Sequence, residues 1–136
     1  MSLDSHITFR DSPVSAATER PAAGNLTAAR TICVQQFSGE IDLQSVADFA
    51  VALDRLTDRR PECVLLDLLQ VRFLSTSGLA VLGKFCDDAA RRRIPVAVAC
   101  GRVVARPVEA CRLDDAIDLH HSLEEAGRSL TSVEFR

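Results

Sequence analysis

The chain has 136 residues, 47% hydrophobic and 26% charged, with six Phe and neither Trp nor Tyr. That length fits one domain of about 100–200 residues, and the apolar share is enough for a packed core. A net charge of −3 offers no basic field to gather a phosphate backbone, which argues against nucleic acid as a main partner. No apolar run approaches the roughly 18–20 residues that span a bilayer. Met1 to Arg10 also lacks the charged-then-apolar order of a secretory leader. The expectation is a cytoplasmic protein with no membrane partner.

Residues 1–28 read as an N-terminal arm. Ser, Thr, Ala and Pro dominate from Asp11 to Ala29, with Pro13, Pro21 and Gly24 as breakers, a composition of loops and disordered segments. Within it, His6 to Arg10 alternates as an edge strand does, near residues 6–10. The folded domain is expected over residues 29–132. Thr31 to Phe37 is rich in β-branched residues and meets a turn at Ser38-Gly39. Val46, Phe49, Ala50, Leu53 and Leu56 then recur at helical spacing, with Asp48, Asp54 and Arg55 on the other side. Asp42 stands where a carboxylate can cap that helix.

Cys63 to Leu68 is nearly all apolar, the pattern of a central parallel strand covered on both faces. Val71 to Leu74 follows, then three hydroxyls and Gly78, then a helix burying Leu79, Leu82, Phe85, Cys86 and Ala89. Arg91 to Arg93 falls in its last turn, where cations suit the helix dipole. Pro95 to Cys100 predicts a strand. A helix around Ala105 to Leu113 follows, because Pro107 is tolerated only in a first turn. Ala116 to Leu119 reads as a last strand. Ser122 with Glu125 forms a capping box for a helix burying Leu123, Ala126 and Leu130. Strand and helix alternate, so the fold class is α/β, with a mostly parallel or mixed sheet of four to five strands and about four helices.

Cys33, Cys63, Cys86, Cys100 and Cys111 contain no Cys-x-x-Cys pair. Zinc sites need such close ligand pairs, so the thiols read as buried small hydrophobes in a reducing compartment. His120 and His121 near Asp114, Asp115 and Asp118 resemble a metal cluster only superficially, because adjacent strand residues point to opposite faces. Gly78, Gly83 and Lys84 have Gly-x-x-x-x-Gly-Lys spacing, but Phe85 stands where a phosphate loop needs a hydroxyl, and the intervening residues are apolar. No metal or cofactor is expected.

The most informative stretch is Ser75-Thr76-Ser77-Gly78, where a strand enters a helix. One hydroxyl suffices for a cap, whereas three in a row leave others for a further use at a helix N-terminus that tolerates anions. A small Ser/His enzyme would pair this loop with His120 or His121, though the Gly-x-Ser-x-Gly elbow is missing.

The order of Gly39-Glu40-Ile41-Asp42, Leu66-Asp67-Leu68 and the run from Val71 to Leu82, closing on Leu113 to Ile117 and Ser122 to Ala126, resembles the STAS domain, in particular the stand-alone bacterial anti-sigma factor antagonists. The resemblance runs from about Thr31 to Leu130. It implies a module that is not an enzyme. Such a module binds a GHKL-type anti-sigma factor that is also a serine/threonine kinase, is switched off by phosphorylation at the start of the second helix, and is restored by a PP2C-type phosphatase. Thr76 aligns with the phospho-acceptor, flanked by Ser75, Ser77 and Gly78. Ser75 and Thr76 stand where the family usually has Asp and Ser. The partner face would take in Gly39, Glu40, Asp42 and Leu79. Three triggers remain open: phosphorylation of Thr76, binding without phosphorylation control, and oxidation of cysteines with Cys86 and Cys111 as candidates. The expected state is a monomer or weak dimer.

Overall fold

The computed structural model describes residues 31–131 together with the backbone of residues 7–15. Its elements are β1 (Ile7–Ser15), β2 (Thr31–Ile41), α1 (Val46–Asp58), β3 (Cys63–Leu74), α2 (Thr76–Arg91), β4 (Val96–Cys100), α3 (Arg102–Ala110), β5 (Asp118–His120) and α4 (Leu123–Thr131). The strands form one sheet in sequential order. β1 runs antiparallel to β2, and β2 to β5 are mutually parallel. The α/β class with a mixed sheet is as the alternating pattern predicts.

β3 is the central strand because its first six residues are apolar or paired and can be covered on both faces. On one face α1, α2 and α3 enclose the larger core, including Phe37, Phe49, Leu53, Leu66, Leu82 and Val104. On the other face α4 seals a smaller cluster of Ile32, Cys63, Leu65, Ala97, Ala99, Ala126 and Leu130. The alanines of β4 allow α4 to lie close to the sheet.

Several boundaries differ from the sequence reading. β1 continues to Ser15, through Pro13, beyond the His6–Arg10 alternation. An outer strand bonded to a neighbour on one side tolerates a residue without an N–H. His6 and residues 16–30 lie outside the described residues. Leu68 and Val71 belong to one continuous strand. α3 starts at Arg102, with the amides of Val104 and Ala105 on the Gly101 carbonyl, so Pro107 lies past the first turn. The Val103 carbonyl therefore lacks its intrahelical donor.

β5 starts only at Asp118, because the amides of Ala116 and Ile117 bond the Leu113 carbonyl in a turn, at 3.0 and 2.9 Å. α4 has its Ser122 cap, with the Glu125 amide on Ser122 Oγ at 3.1 Å. Leu123, however, is 41% exposed, and Ala126 and Leu130 carry the contact.

Phe37 of β2 and Phe49 of α1 meet edge-to-face, with ring centroids 4.9 Å apart and both side chains fully buried. This pair ties the first helix to the sheet. Phe49→Ala should destabilise the fold by about 3–5 kcal/mol, read as a lowered midpoint in urea-induced unfolding.

Candidate functional site

The candidate site forms where β2 and β3 end side by side. Gly39 sits at a break in the β2–β3 register with φ 100°, a left-handed conformation that favours glycine. The following residues turn tightly. The Ser45 hydroxyl donates to the Glu40 carbonyl (2.8 Å) and accepts from the Asp42 amide (3.0 Å). Asp42 Oδ1 accepts from the amides of Gln44 (3.0 Å) and Ser45 (3.1 Å). Asp42 therefore organises the turn ahead of α1, and Ser45 occupies the N-cap position without a side-chain cap bond. This corrects the expectation that Asp42 caps the helix itself. The bonds consume amides that lie before its first turn.

The second half of the site is the start of α2. Ser75 has an extended backbone, and its Oγ accepts from the Gly78 amide at 3.0 Å. That is an N-cap made without a formal charge. Ser75 Oγ also lies 3.1 Å from Ser77 Oγ. The Ser75 amide bonds the Ile41 carbonyl at 2.8 Å, which locks the two loops together. Ser75 and Ser77 are half-buried, whereas Thr76 is exposed.

Thr76 is the first residue of α2, and no acidic residue lies in the first turn. The amides of Thr76 and Ser77 precede the first intrahelical acceptor, and no carboxylate of the helix's own first turn offsets the positive end of the dipole. Glycine at position 78 is a packing requirement. A Cβ there would lie 2.8 Å from Ile41 Cγ2 and 2.9 Å from Leu74 Cδ1.

Gly39, Glu40 and Asp42 thus stand beside Ser75 to Gly78. Leu79 does not share that surface: it is 5% exposed and packs in the larger core. The geometry withdraws it from a partner's reach, because the helical register that turns Thr76 outward turns Leu79 inward. Two exposed apolar residues do flank the loops. Phe73, paired with Glu40 across β2 and β3, is 49% exposed, and Leu43, in the turn, is 79% exposed. Sequence reasoning missed them because a leucine or phenylalanine is by default a core residue. Only the alternation of Phe73 against the buried Leu74 hinted otherwise.

The other candidates lie elsewhere. His120 pairs with Ala99, and Ala99 with Asp67. His120 is therefore level with a residue eight positions before Ser75, roughly 25 Å back along the sheet. A Ser/His pairing with the Ser75–Ser77 loop is ruled out by that register. Instead His120 Nε2 stands 2.9 Å from Asp118 Oδ1, at ion-pair distance though without an aligned hydrogen bond. Among the described residues no cluster of His, Cys, Asp and Glu could hold a metal ion, and no helix is long and apolar enough to cross a membrane.

All five cysteines are free thiols. Cys111 is exposed, but Cys86 is buried, and burial pushes its thiol up to about 12. The thiolate is the form that reacts with oxidants, so burial holds Cys86 in the less reactive thiol form.

The comparisons agree with this geometry. The STAS domain model matches residues 25–126, and the chain belongs to that family. The anti-sigma-F factor antagonist RsfB of Mycobacterium tuberculosis is 30% identical over 95 residues, covering 70% of this chain and 78% of RsfB. An anti-sigma factor antagonist from Mycobacterium paratuberculosis superposes with a TM-score of 0.66 at 19% identity, over 93% of this chain and 96% of that one. SpoIIAA in its unphosphorylated form superposes with a TM-score of 0.63 at 12% identity, over 93% and 100% of the respective chains.

Two measurements check this account. Gly78→Ala forces α2 away from Ile41 and Leu74 and should destabilise by about 1–3 kcal/mol, seen as a lowered denaturation midpoint. The Cys86 thiol ionises at 9.0 when unfolded and at about 12 when folded. Above pH 9 the unfolded chain loses a proton that the folded chain keeps, so stability falls as pH rises from 9 toward 12. Cys86→Ala should lessen that slope, leaving the share from Cys100, which burial and then the Glu109 charge push up to about 11.

Proposed function

We propose that this chain is an anti-sigma factor antagonist whose binding face is centred on Thr76 and controlled by phosphorylation there. The observation that carries the reading is the exposed Thr76 hydroxyl at a helix N-terminus with no acidic residue in its first turn, in a chain 30% identical to RsfB. Its partner is a GHKL-type anti-sigma factor with serine/threonine kinase activity, and a PP2C-type phosphatase restores the free hydroxyl. The chain itself performs no catalysis and acts in the cytoplasm as a monomer or weak dimer. The module spans residues 29–132, with residues 1–28 as an arm.

The switch follows from charge. A phosphate on Thr76 adds about −1.5 to −2 at neutral pH. Within the folded chain that charge meets the first-turn amides and the positive end of α2, so the fold accepts it. At a desolvated interface the same charge opposes binding, and the nearby Glu40 and Asp42 already make this rim acidic. The partner contact therefore rests on Leu43 and Phe73 as apolar anchors, with the Gly39–Asp42 turn and Ser75 to Gly78 setting its shape. Threonine is a competent acceptor. Ser75 keeps the cap that the family's aspartate supplies but places no negative charge beside it.

The test is capture of the cognate anti-sigma factor by immobilised chain. Thr76→Glu should weaken capture at least tenfold, on the order of the loss from one unpaired interfacial charge, with an unchanged melting curve. Thr76→Ala should retain binding, and Leu43→Ser with Phe73→Ser should lose it. Incubation with the partner and ATP should add one phosphate, located at Thr76 by mass spectrometry. Equal capture by Thr76→Glu and the unaltered chain would exclude the switch.

A further inference from the structure

At the opposite end of α2 from Thr76, roughly 24 Å along the helix axis, the surface opens into a cleft of about 490 Å³. It lies between the C-terminal turn of α2, the start of β4 and the turn that precedes β5. Its volume falls in the range of about 300–1,000 Å³ typical of small-molecule sites, which combine apolar walls with a few placed polar groups. The floor has that character. Cys86, Ile94 and Ile117 are buried core residues that border the cleft, with Ala90 and Val96 beside them. The Cys86 thiol stays neutral because burial pushes it up to about 12. The floor therefore presents sulfur and hydrocarbon without charge.

The rim supplies the charge. Asp114, Asp115 and Asp118 line it together with one cation, Arg93. Asp118 is already engaged, accepting from Ser129 Oγ at 2.6 Å and standing 2.9 Å from His120 Nε2. The Asp114 and Asp115 carboxylates are exposed and make no hydrogen bond or ion pair among the described residues. The shape is well determined on the α2 side. Arg93 holds a left-handed backbone (φ 63°), its amide bonds the Ala90 carbonyl at 3.0 Å, and the Ile94 amide bonds the Ala89 carbonyl at 2.8 Å. On the facing side the Leu113 carbonyl holds the amides of Ala116 and Ile117.

We propose that this cleft binds a small organic cation, its apolar body of about one aromatic ring seated on the Cys86–Ile94–Ile117 floor and its ammonium group against the Asp114–Asp115 rim. An anion of the same shape would meet two unpaired carboxylates. A neutral molecule would gain the floor but leave the rim unused. The site is separate from the Thr76 face and does not depend on the partner assigned to it.

The test is a titration of the full 136-residue chain, labelled with nitrogen-15, using phenethylamine and its neutral counterpart 2-phenylethanol, followed by amide chemical shifts. Phenethylamine should give saturable shifts at Ile94, Val96, Ala116 and Ile117, with a Kd on the order of 1 mM for a ligand of this size. The alcohol should bind about tenfold more weakly, the effect of two exposed charge contacts. The double variant Asp114→Asn/Asp115→Asn, altered only at exposed positions, should keep its melting curve and bind the amine no better than the alcohol. Equal affinity for amine and alcohol would overturn the assignment of a cation. Shifts absent from these four amides, or undiminished in the double variant, would overturn the site.

Discussion

The first turn of α2 packs directly against the ends of β2 and β3. A Cβ at position 78 would fall 2.8 Å from Ile41 and 2.9 Å from Leu74, so the turn can seat itself only because that residue is glycine. Much of the site follows from this contact. With Gly78 against the sheet, Ser75 reaches both the Ile41 carbonyl through its amide and the Gly78 amide through its hydroxyl. The same seating sets the rotation of α2, which directs Leu79, Leu82, Phe85, Cys86 and Ala89 inward and leaves Thr76 outward. One backbone contact thereby decides which hydroxyl of three meets solvent.

The surface around Thr76 follows from how the strands end. β2 and β3 run past β4, since Leu68 already pairs with the last residue of β4 while β3 continues to Leu74. Phe73 lies on this overhang and stays half in solvent. Leu43 is carried outward by a turn that Asp42 and Ser45 hold rigid. Exposed apolar side chains on a rigid support lose little conformational freedom when a partner covers them. The Thr76 hydroxyl on the same rim lies by the free amides that open α2 rather than in the core.

Different physical signals account for what was legible. The β3 run, the inward stripe of α2 and the Ser122–Glu125 cap are local patterns, and each appears where periodicity and capping rules put it. Pro107 misled because the rule against interior prolines is a statement about cost. The packing of Val104 and Val108 in the core outweighs that cost and draws the α3 start back to Arg102. The start of β5 misled because Ala116 and Ile117 read as strand by composition, yet their amides were taken by Leu113. Leu123 satisfied the apolar period of α4 but lies at its rim, past the edge of the surface that α4 covers.

By itself the sequence determined the class of the fold, the order of its elements and the hydroxyl loop at the start of α2, because these depend on hydrophobic period and on residue chemistry at fixed spacing. Tertiary structure alone decided which of those residues face outward. Thr76 is accessible while Leu79 is not, Leu43 and Phe73 lie on the surface, and His120 stands far from the loop. Cys86 is buried deeply enough to hold its proton. Such facts depend on register between strands and on the rotation of a helix against a sheet, where a shift of one residue exchanges inside for outside.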